Sequence, residues 1–170
     1  MILYFRGDYA FLSNFHEIPI EYNGLTFRNT EGAFQAGKCY FRKDAEKLQH
    51  MDGATAKAFA RKMGKITDEE WFYNNVNIMF QVNWIKYSNP ELRAKLLATG
   101  NHHLIEGNRH CDDFWGCCKE PLENTNGRNY LGKVLMMVRF YINLGVKEPP
   151  TFVTRAGVDQ FYETIKDTLV

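Results

Sequence analysis

A chain of 170 residues, 45% hydrophobic and 24% charged, is long enough for one packed core and ordinary in composition for a globular domain. Lys plus Arg number 21 against 20 Asp plus Glu, a formal charge of +1, so no net field favours wrapping a long nucleic-acid backbone, although a local basic patch is compatible with it. No apolar run reaches membrane-spanning length, and the opening MILYFRGDYA has no cationic segment followed by a long apolar one. The reading is a soluble, cytoplasmic protein whose four cysteines (Cys39, Cys111, Cys117, Cys118) are reduced thiols.

In chain order, Ile2 to Phe5 is a short apolar run of strand character. Ile18 to Tyr22 and Leu25 to Phe27 flank Asn23-Gly24, a pair suited to a type I′ turn, and predict a hairpin. Asn29 or Thr30 caps a helix expected over Glu31 to Phe41. Two short helices are expected at Asp44 to Met51 and Ala54 to Met63. Thr67-Asp68-Glu69-Glu70 has the form of a capping box and opens a long helix to about Tyr87, with Trp71, Ile78, Met79, Val82 and Ile85 at helical spacing. Asn89-Pro90 starts a helix through Ala98, and His103 to Glu106 reads as a brief strand. Asn108 to Gly127 lacks apolar periodicity and is long enough to suggest a functional loop. A strong helix spans Asn129 to Leu144, Glu148-Pro149-Pro150 breaks the chain, and Val158 to Leu169 adds a short C-terminal helix. The sum is a helix-rich α+β fold, a single domain with a small N-terminal sheet packed by several helices.

Within the first helix, Glu31, Gln35 and Lys38 stand at i, i+4 and i+7, within about 60° of one another on one face. Phe34, Gly37 and Phe41 form the adjacent apolar strip. If that strip is buried, the polar stripe borders a cleft, where a carboxylate and an amine shift each other's pKa and suit proton transfer. A desolvated lysine there also attacks aldehydes. The bland alternative is a solvated edge with a weak ion pair.

Three other segments carry candidate chemistry. In FLSNF, Ser13-Asn14 is turn chemistry, Phe15 offers a stacking face and Asn14 a polar reader. In HCDDFWGCC, Asp112 or Asp113 beside Trp115 and Gly116 supplies a second acid or a ribose-hydroxyl acceptor. Its cysteines follow C-x5-C-C, which matches no common paired-ligand spacing, so neither a metal nor a cofactor is expected. Arg128 and Asn129, just before a helix, offer a phosphate cradle, although the glycine pattern fits neither a Walker loop nor a Rossmann fingerprint. The competing reading is a turn and a cap.

FLSNF, P-I-x-x-x-G-x-x-F, T-E-x-x-F-Q-A-x-K at Thr30 to Lys38, A-R-K-M-G at Ala60 to Gly64, Trp71, P-E-L-R-A-K-L-L-A-T, D-x-x-W-G and N-x-L-G-x-x-L-M-x-x-R occur in one order from about Tyr9 to Leu144. In this the chain resembles the NADAR, or YbiA-like, family. The resemblance implies a NADAR domain over residues 1–145, with 146–170 as an extension. It also implies hydrolysis of N-glycosidic bonds of ribose derivatives, such as a riboflavin-pathway ribosylaminopyrimidine phosphate or ADP-ribose on guanine, with NAD metabolism as the wider setting. Carried over by motif position, Glu31, Trp71 and Asp112 are essential pocket residues and Lys38 is a further candidate. The family often has E-H-Y-F-Q where this chain has EGAFQ, and an acidic, glycine-rich loop where this chain has CCKEPLENTNG.

The mechanism this implies pairs Glu31 with Asp112 around the sugar carbon, stacks the base on Trp115 or Phe15, and holds the phosphate at Arg128 and Asn129. Ser13, Asn14, Gln35 and Gly116 complete the substrate-binding set. Lys38 would trap the opened ribose as a Schiff base. The expected partner is a ribose-phosphate or ADP-ribose small molecule, free or presented on a nucleic-acid base, with no membrane and no obligate protein partner. The alternative of a different class is a non-catalytic ADP-ribose or nucleotide-binding module, for which Glu31 is dispensable.

Overall fold

The computed structural model describes residues 1–118 and 127–170, so the middle of the expected irregular loop lies outside it. Seven α-helices, two short 3-10 helices and two small sheets are present among the described residues. The first sheet is the antiparallel hairpin of β1 (Glu17–Tyr22) and β2 (Leu25–Asn29), turning through Asn23 and Gly24 at φ 50° and 70°. Positive φ at both central residues is what a type I′ turn requires, and it matches the twist of the strands. The hairpin face with Ile20 and Phe27 packs on α1 (Thr30–Ala36) and α4 (Asp68–Lys86).

Asn29 ends β2 and caps α1, accepting the Gly32 N–H at 2.8 Å. The helix stops at Ala36, before Lys38, where a helix to Phe41 was expected. The chain beyond it pairs with the 64–66 segment, Tyr40 N–H to Gly64 C=O and Ile66 N–H to Lys38 C=O. That exchange uses backbone groups that a continued helix would have kept internal. Next come α2 (Arg42–Leu48) and α3 (Gly53–Ala60), the latter capped by Asp52.

The capping box at Thr67 and Glu70 closes in both directions and starts α4. Helix α4 and α6 (Tyr130–Asn143) form the central pair. Val134, Leu135 and Val138 on α6 face Val76, Phe80 and Val82 on α4 in one buried cluster, each fully buried side chain contributing about 1.5–3 kcal/mol. Helix α5 (Pro90–Ala98), capped by Asn89, is tied to α6 through Arg139, which donates to Thr99 Oγ1 at 2.7 Å and to the His102 carbonyl at 3.0 Å. Helix α7 (Arg155–Ile165) buries Val158 and hydrogen-bonds α6 through Asp159, which accepts from the Tyr130 hydroxyl and the Lys133 ammonium.

The expected strand at Ile2 to Phe5 reduces to a single parallel bridge, Ile2 with Leu104. Instead of a strand over His103 to Glu106, a two-residue strand β3 (Gly107–Asn108) pairs in parallel with β4 (Cys117–Cys118). This pairing places Cys118 against Cys111, and the two form a disulfide, where free thiols were expected. Cys39 and Cys117 remain free. No described helix is long and apolar enough to cross a membrane.

Candidate active site

Ser13, Asn14, Phe15, Glu31, Gln35, Lys38, Asp112, Trp115 and Gly116 all line one cavity of about 550 Å³, a size that suits a nucleotide-like ligand. It lies between the FLSNF turn, α1, α3 and the 105–116 segment.

Glu31 occupies the first turn of α1, only 5% exposed. Its backbone N–H donates to the Asn14 carbonyl at 3.0 Å, which fastens the helix start to the FLSNF turn. Gln35, one turn on, donates Nε2–H to Glu31 Oε1 at 2.6 Å. Burial pushes the Glu31 carboxyl above its usual range; the Gln35 hydrogen bond and the charges of Lys57 and Lys38 oppose that without cancelling it. The buried stripe therefore favours the protonated form of this carboxyl more than water does. Gln35 Oε1 is buried with no partner among the described residues, an acceptor left for a ligand donor.

Lys38 sits just beyond the helix. Its Nζ lies 4.5 Å from the Trp71 ring centre and 5.5 Å from that of Phe34. Desolvation lowers its pKa; Glu31 opposes this, while Lys57, Lys65 and Arg61 add to it. It forms no ion pair among the described residues. An amine desolvated between two aromatic faces is the kind that acts as a nucleophile. Trp71 thus bears on the site through Lys38 and through Phe34, 5.1 Å away, rather than by lining the cavity itself.

Asp112 is positioned by its own loop. Asn108 accepts the Asp112 N–H and donates to its carbonyl, and Asp112 Oδ1 accepts the Trp115 N–H at 2.9 Å. Oδ2 faces Lys57 Nζ at 3.9 Å. Trp115 meets the Phe34 ring edge-on at 5.2 Å, so its orientation is fixed before any ligand arrives. Phe15 is 43% exposed at the cavity wall and available to stack. Ser13 Oγ accepts the Phe15 N–H, and the Ser13 carbonyl accepts from buried Lys86 at 2.8 Å. Asn14 is committed to Met79 and Asn83, so it serves the turn more than the ligand.

Arg128 and Asn129 are not in this cavity. Arg128 lines two other hollows, and its guanidinium lies 5.9 Å from the centre of the Phe114 ring. Asn129 is buried at φ 52°, accepting the Glu106 N–H at 3.0 Å and donating to the Leu104 carbonyl at 2.8 Å. The N–H groups of Tyr130 and Leu131 are spent on the carbonyls of Phe114 and Trp115. The start of α6 thus anchors the Asp112 loop through the Tyr130 and Leu131 N–H groups, and the expected phosphate cradle of Arg128 and Asn129 lies outside the cavity that holds Glu31 and Asp112. The hollow of about 460 Å³ between α6 and α7 has its acid, Asp159, already bonded to Tyr130 and Lys133.

Sequence reasoning missed Glu106, Lys57, Arg6, Asn108 and His110, all on the cavity wall. Glu106 is the most consequential. Burial pushes its carboxyl up to about 7, with Arg6 and Lys57 opposing and Asp112 and Glu31 reinforcing, and its Oε2 is buried with no partner among the described residues. An acid ending the apolar Leu104-Ile105 pair was the available signal, and it was absorbed into a strand assignment.

Gly116 is where the 116–118 segment crosses the Glu106 backbone, with the Cys117 N–H on the Glu106 carbonyl at 2.9 Å. A Cβ at residue 116 would collide with that carbonyl oxygen and lie 2.8 Å from Asn108 Nδ2. Gly116→Ala is expected to lower stability by about 1–3 kcal/mol, read as a lower melting temperature. An unchanged melting temperature would show that the crossing is looser than described.

Comparisons with known proteins bear on the family and the fold. A model of the NADAR domain matches residues 4–143. A riboflavin biosynthesis protein of Vibrio vulnificus is 34% identical over 134 residues, 78% of this chain, and this chain spans 35% of that protein's length. The N-glycosidase YbiA of Shigella boydii is 32% identical, with 78% of this chain and 81% of that protein covered. An N-glycosidase of Nostoc punctiforme is 31% identical over 147 residues, 82% of this chain and 91% of that protein. The NMR structure of Escherichia coli YbiA superposes with a TM-score of 0.72 at 27% identity, covering 89% of this chain and 90% of that one. With the domain model spanning most of its length and its fold shared with a solved relative, the chain belongs to the NADAR domain family.

Proposed function

We propose that this chain is an N-glycosidase, hydrolysing the bond between C1′ of a phosphoribose or ADP-ribose and a base. The observation that carries the reading is a buried Glu31, its pKa raised by desolvation, sharing one cavity with a second acid, Asp112, and a desolvated amine, Lys38. The relatives' names support the reaction class. A ribosylaminopyrimidine phosphate and guanine-linked ADP-ribose are the two substrate forms to compare, and a cytoplasmic role in pyridine- or flavin-nucleotide metabolism fits either.

Breaking this bond sends its electron pair into the base and leaves positive charge on C1′. Glu31 protonates the departing base nitrogen. Asp112, held by Asn108 and the Trp115 N–H, balances the charge on C1′ and takes a proton from the attacking water. The base stacks on Trp115 or Phe15, and Gln35 Oε1 accepts from a base or ribose donor. The released ribose opens to an aldehyde, which the neutral Lys38 amine attacks, losing water to give an imine that water later reverses.

Incubation with each substrate form, followed by mass spectrometry, tests the reaction: free base is expected. Binding without base release would instead identify a reader of ADP-ribose. Borohydride added during turnover is expected to fix a ribosyl adduct on Lys38, found by peptide mapping, and Lys38 recovered unmodified would remove the imine step.

A further inference from the structure

A second hollow of about 300 Å³ adjoins the cavity, sharing Gln35, Lys38 and Lys57 as a common wall. Its remaining lining adds Arg61, Lys65 and Trp71 over an apolar floor of Ala60 and Ile66. The cations Lys57, Arg61 and Lys65 and the Lys38 amine face this space, and among the described residues no carboxylate does. Two independent local structures assemble them. Lys57 and Arg61 stand at i and i+4 along α3 and its C-cap, hence on one face. Lys65 arrives on the segment that returns to α1, where the Cys39–Lys65 bridge sets it beside Lys38.

The nearby acids leave this cluster underneutralised. Lys57 has Asp112 at 3.9 Å on the side of the main cavity. Lys65 has Asp68 at 3.1 Å, but on a surface where both side chains are largely exposed and the pair is weak. Lys38 and Arg61 have no ion pair among the described residues. In a chain whose formal charge is only +1, the cations Lys57, Arg61 and Lys65 around one hollow are a local excess that an anion would relieve. Arg128, the cation expected from sequence to hold phosphate, lines other hollows, so the cavity's anion site must be sought elsewhere.

We infer that this hollow is the phosphate subsite of the enzyme, taking the phosphate carried on C5 of the ribose whose C1 lies in the main cavity. The inference rests on the N-glycosidase reading for the placement of the ribose, and on the basic lining alone for the ligand's charge. Arg61 supplies a planar fork suited to phosphate oxygens, and Lys65 and Lys57 act as point charges. Trp71 walls the hollow beneath Lys38, so phosphate binding and the position of the amine are physically coupled.

The test is calorimetric binding of ribose, ribose 5-phosphate and ADP-ribose to the wild type and to the double variant Arg61→Gln, Lys65→Gln. Both residues are exposed and outside the proposed chemistry, so an unchanged melting temperature is the control for folding. The wild type is expected to bind a phosphorylated ligand at least tenfold more tightly than ribose, and the double variant to lose at least tenfold for that ligand alone. Whether ribose 5-phosphate or only ADP-ribose shows the loss distinguishes a monoester from a diphosphate. Equal affinity in wild type and variant, or no preference for phosphorylated ligands in the wild type, overturns the subsite. Retained phosphate-dependent binding with no base released from any substrate would leave the subsite standing and remove the glycosidase reading.

Discussion

Replacing Glu31 with Gln is expected to lower the rate of base release by about 10²–10⁴-fold, the usual worth of a positioned general acid, while the protein stays folded. The substitution keeps shape and size, and the new amide oxygen still accepts from Gln35, so the buried pair keeps a hydrogen bond. What it removes is the transferable proton. The pH dependence follows from the same burial. A general acid works in its protonated form, and the raised folded pKa extends that form to higher pH, so wild-type activity is expected to fall as pH rises through that pKa. Stability has the same sign: the ionised buried carboxylate is disfavoured, so stability present at low pH declines as pH rises through the folded pKa. The Gln variant is free of that decline. Single-turnover assays with melting curves across pH measure both, and full turnover in the variant would remove Glu31 from the acid role.

The second large effect belongs to Glu106. Its carboxyl titrates at about 7 in the folded protein, against an ordinary value of 4.5, chiefly because it is buried. The unfolded chain ionises it from about pH 4.5 upward, while the folded chain resists until about pH 7. Over that window the folded state loses stability relative to a neutral isostere, at about 1.4 kcal/mol for each tenfold fall in proton concentration, or on the order of 3 kcal/mol by pH 7 and above. Glu106→Gln is therefore expected to melt like the wild type near pH 4 and at a higher temperature near pH 8. The backbone anchor is untouched, since Asn129 holds the Glu106 N–H and Cys117 its carbonyl. An inflection near pH 7 in the wild-type rate that vanishes in the variant would show that the unpartnered Oε2 faces substrate. Parallel melting curves at all pH values would mean that water reaches this carboxyl freely.

Local signals were legible where a few adjacent residues decide the outcome. The Asn23-Gly24 turn, the Asn29 cap, the Thr67 capping box and the Asn89-Pro90 start all act within four residues, and each forms as read. Glu31 and Gln35 were legible as partners because one helical turn joins them. Lys38 was placed at the right cavity for a partly wrong reason, since the helix ends at Ala36 and a long-range pairing with 64–66 sets the lysine's position. Arg128 and Asn129 fall outside the cavity, since the first N–H groups of α6, on Tyr130 and Leu131, bond the carbonyls of Phe114 and Trp115, a long-range pairing that the local helix-start pattern does not announce. Glu106 and Lys57 were invisible because their company comes from elements distant in sequence. The Cys111–Cys118 disulfide depends on the β3–β4 pairing, which two-residue strands do not announce.

The early end of α1 separates two groups that sequence spacing had joined. Glu31 belongs to a helix locked to the FLSNF turn, whereas Lys38 belongs to a short connector whose path is dictated by Gly64 to Ile66. Changes in the 61–66 segment can therefore retune the amine, its reach and its neighbours, without disturbing Glu31. The two groups answer to substitutions in different parts of the chain, the amine to the 61–66 segment and the carboxyl to the first turn of the helix.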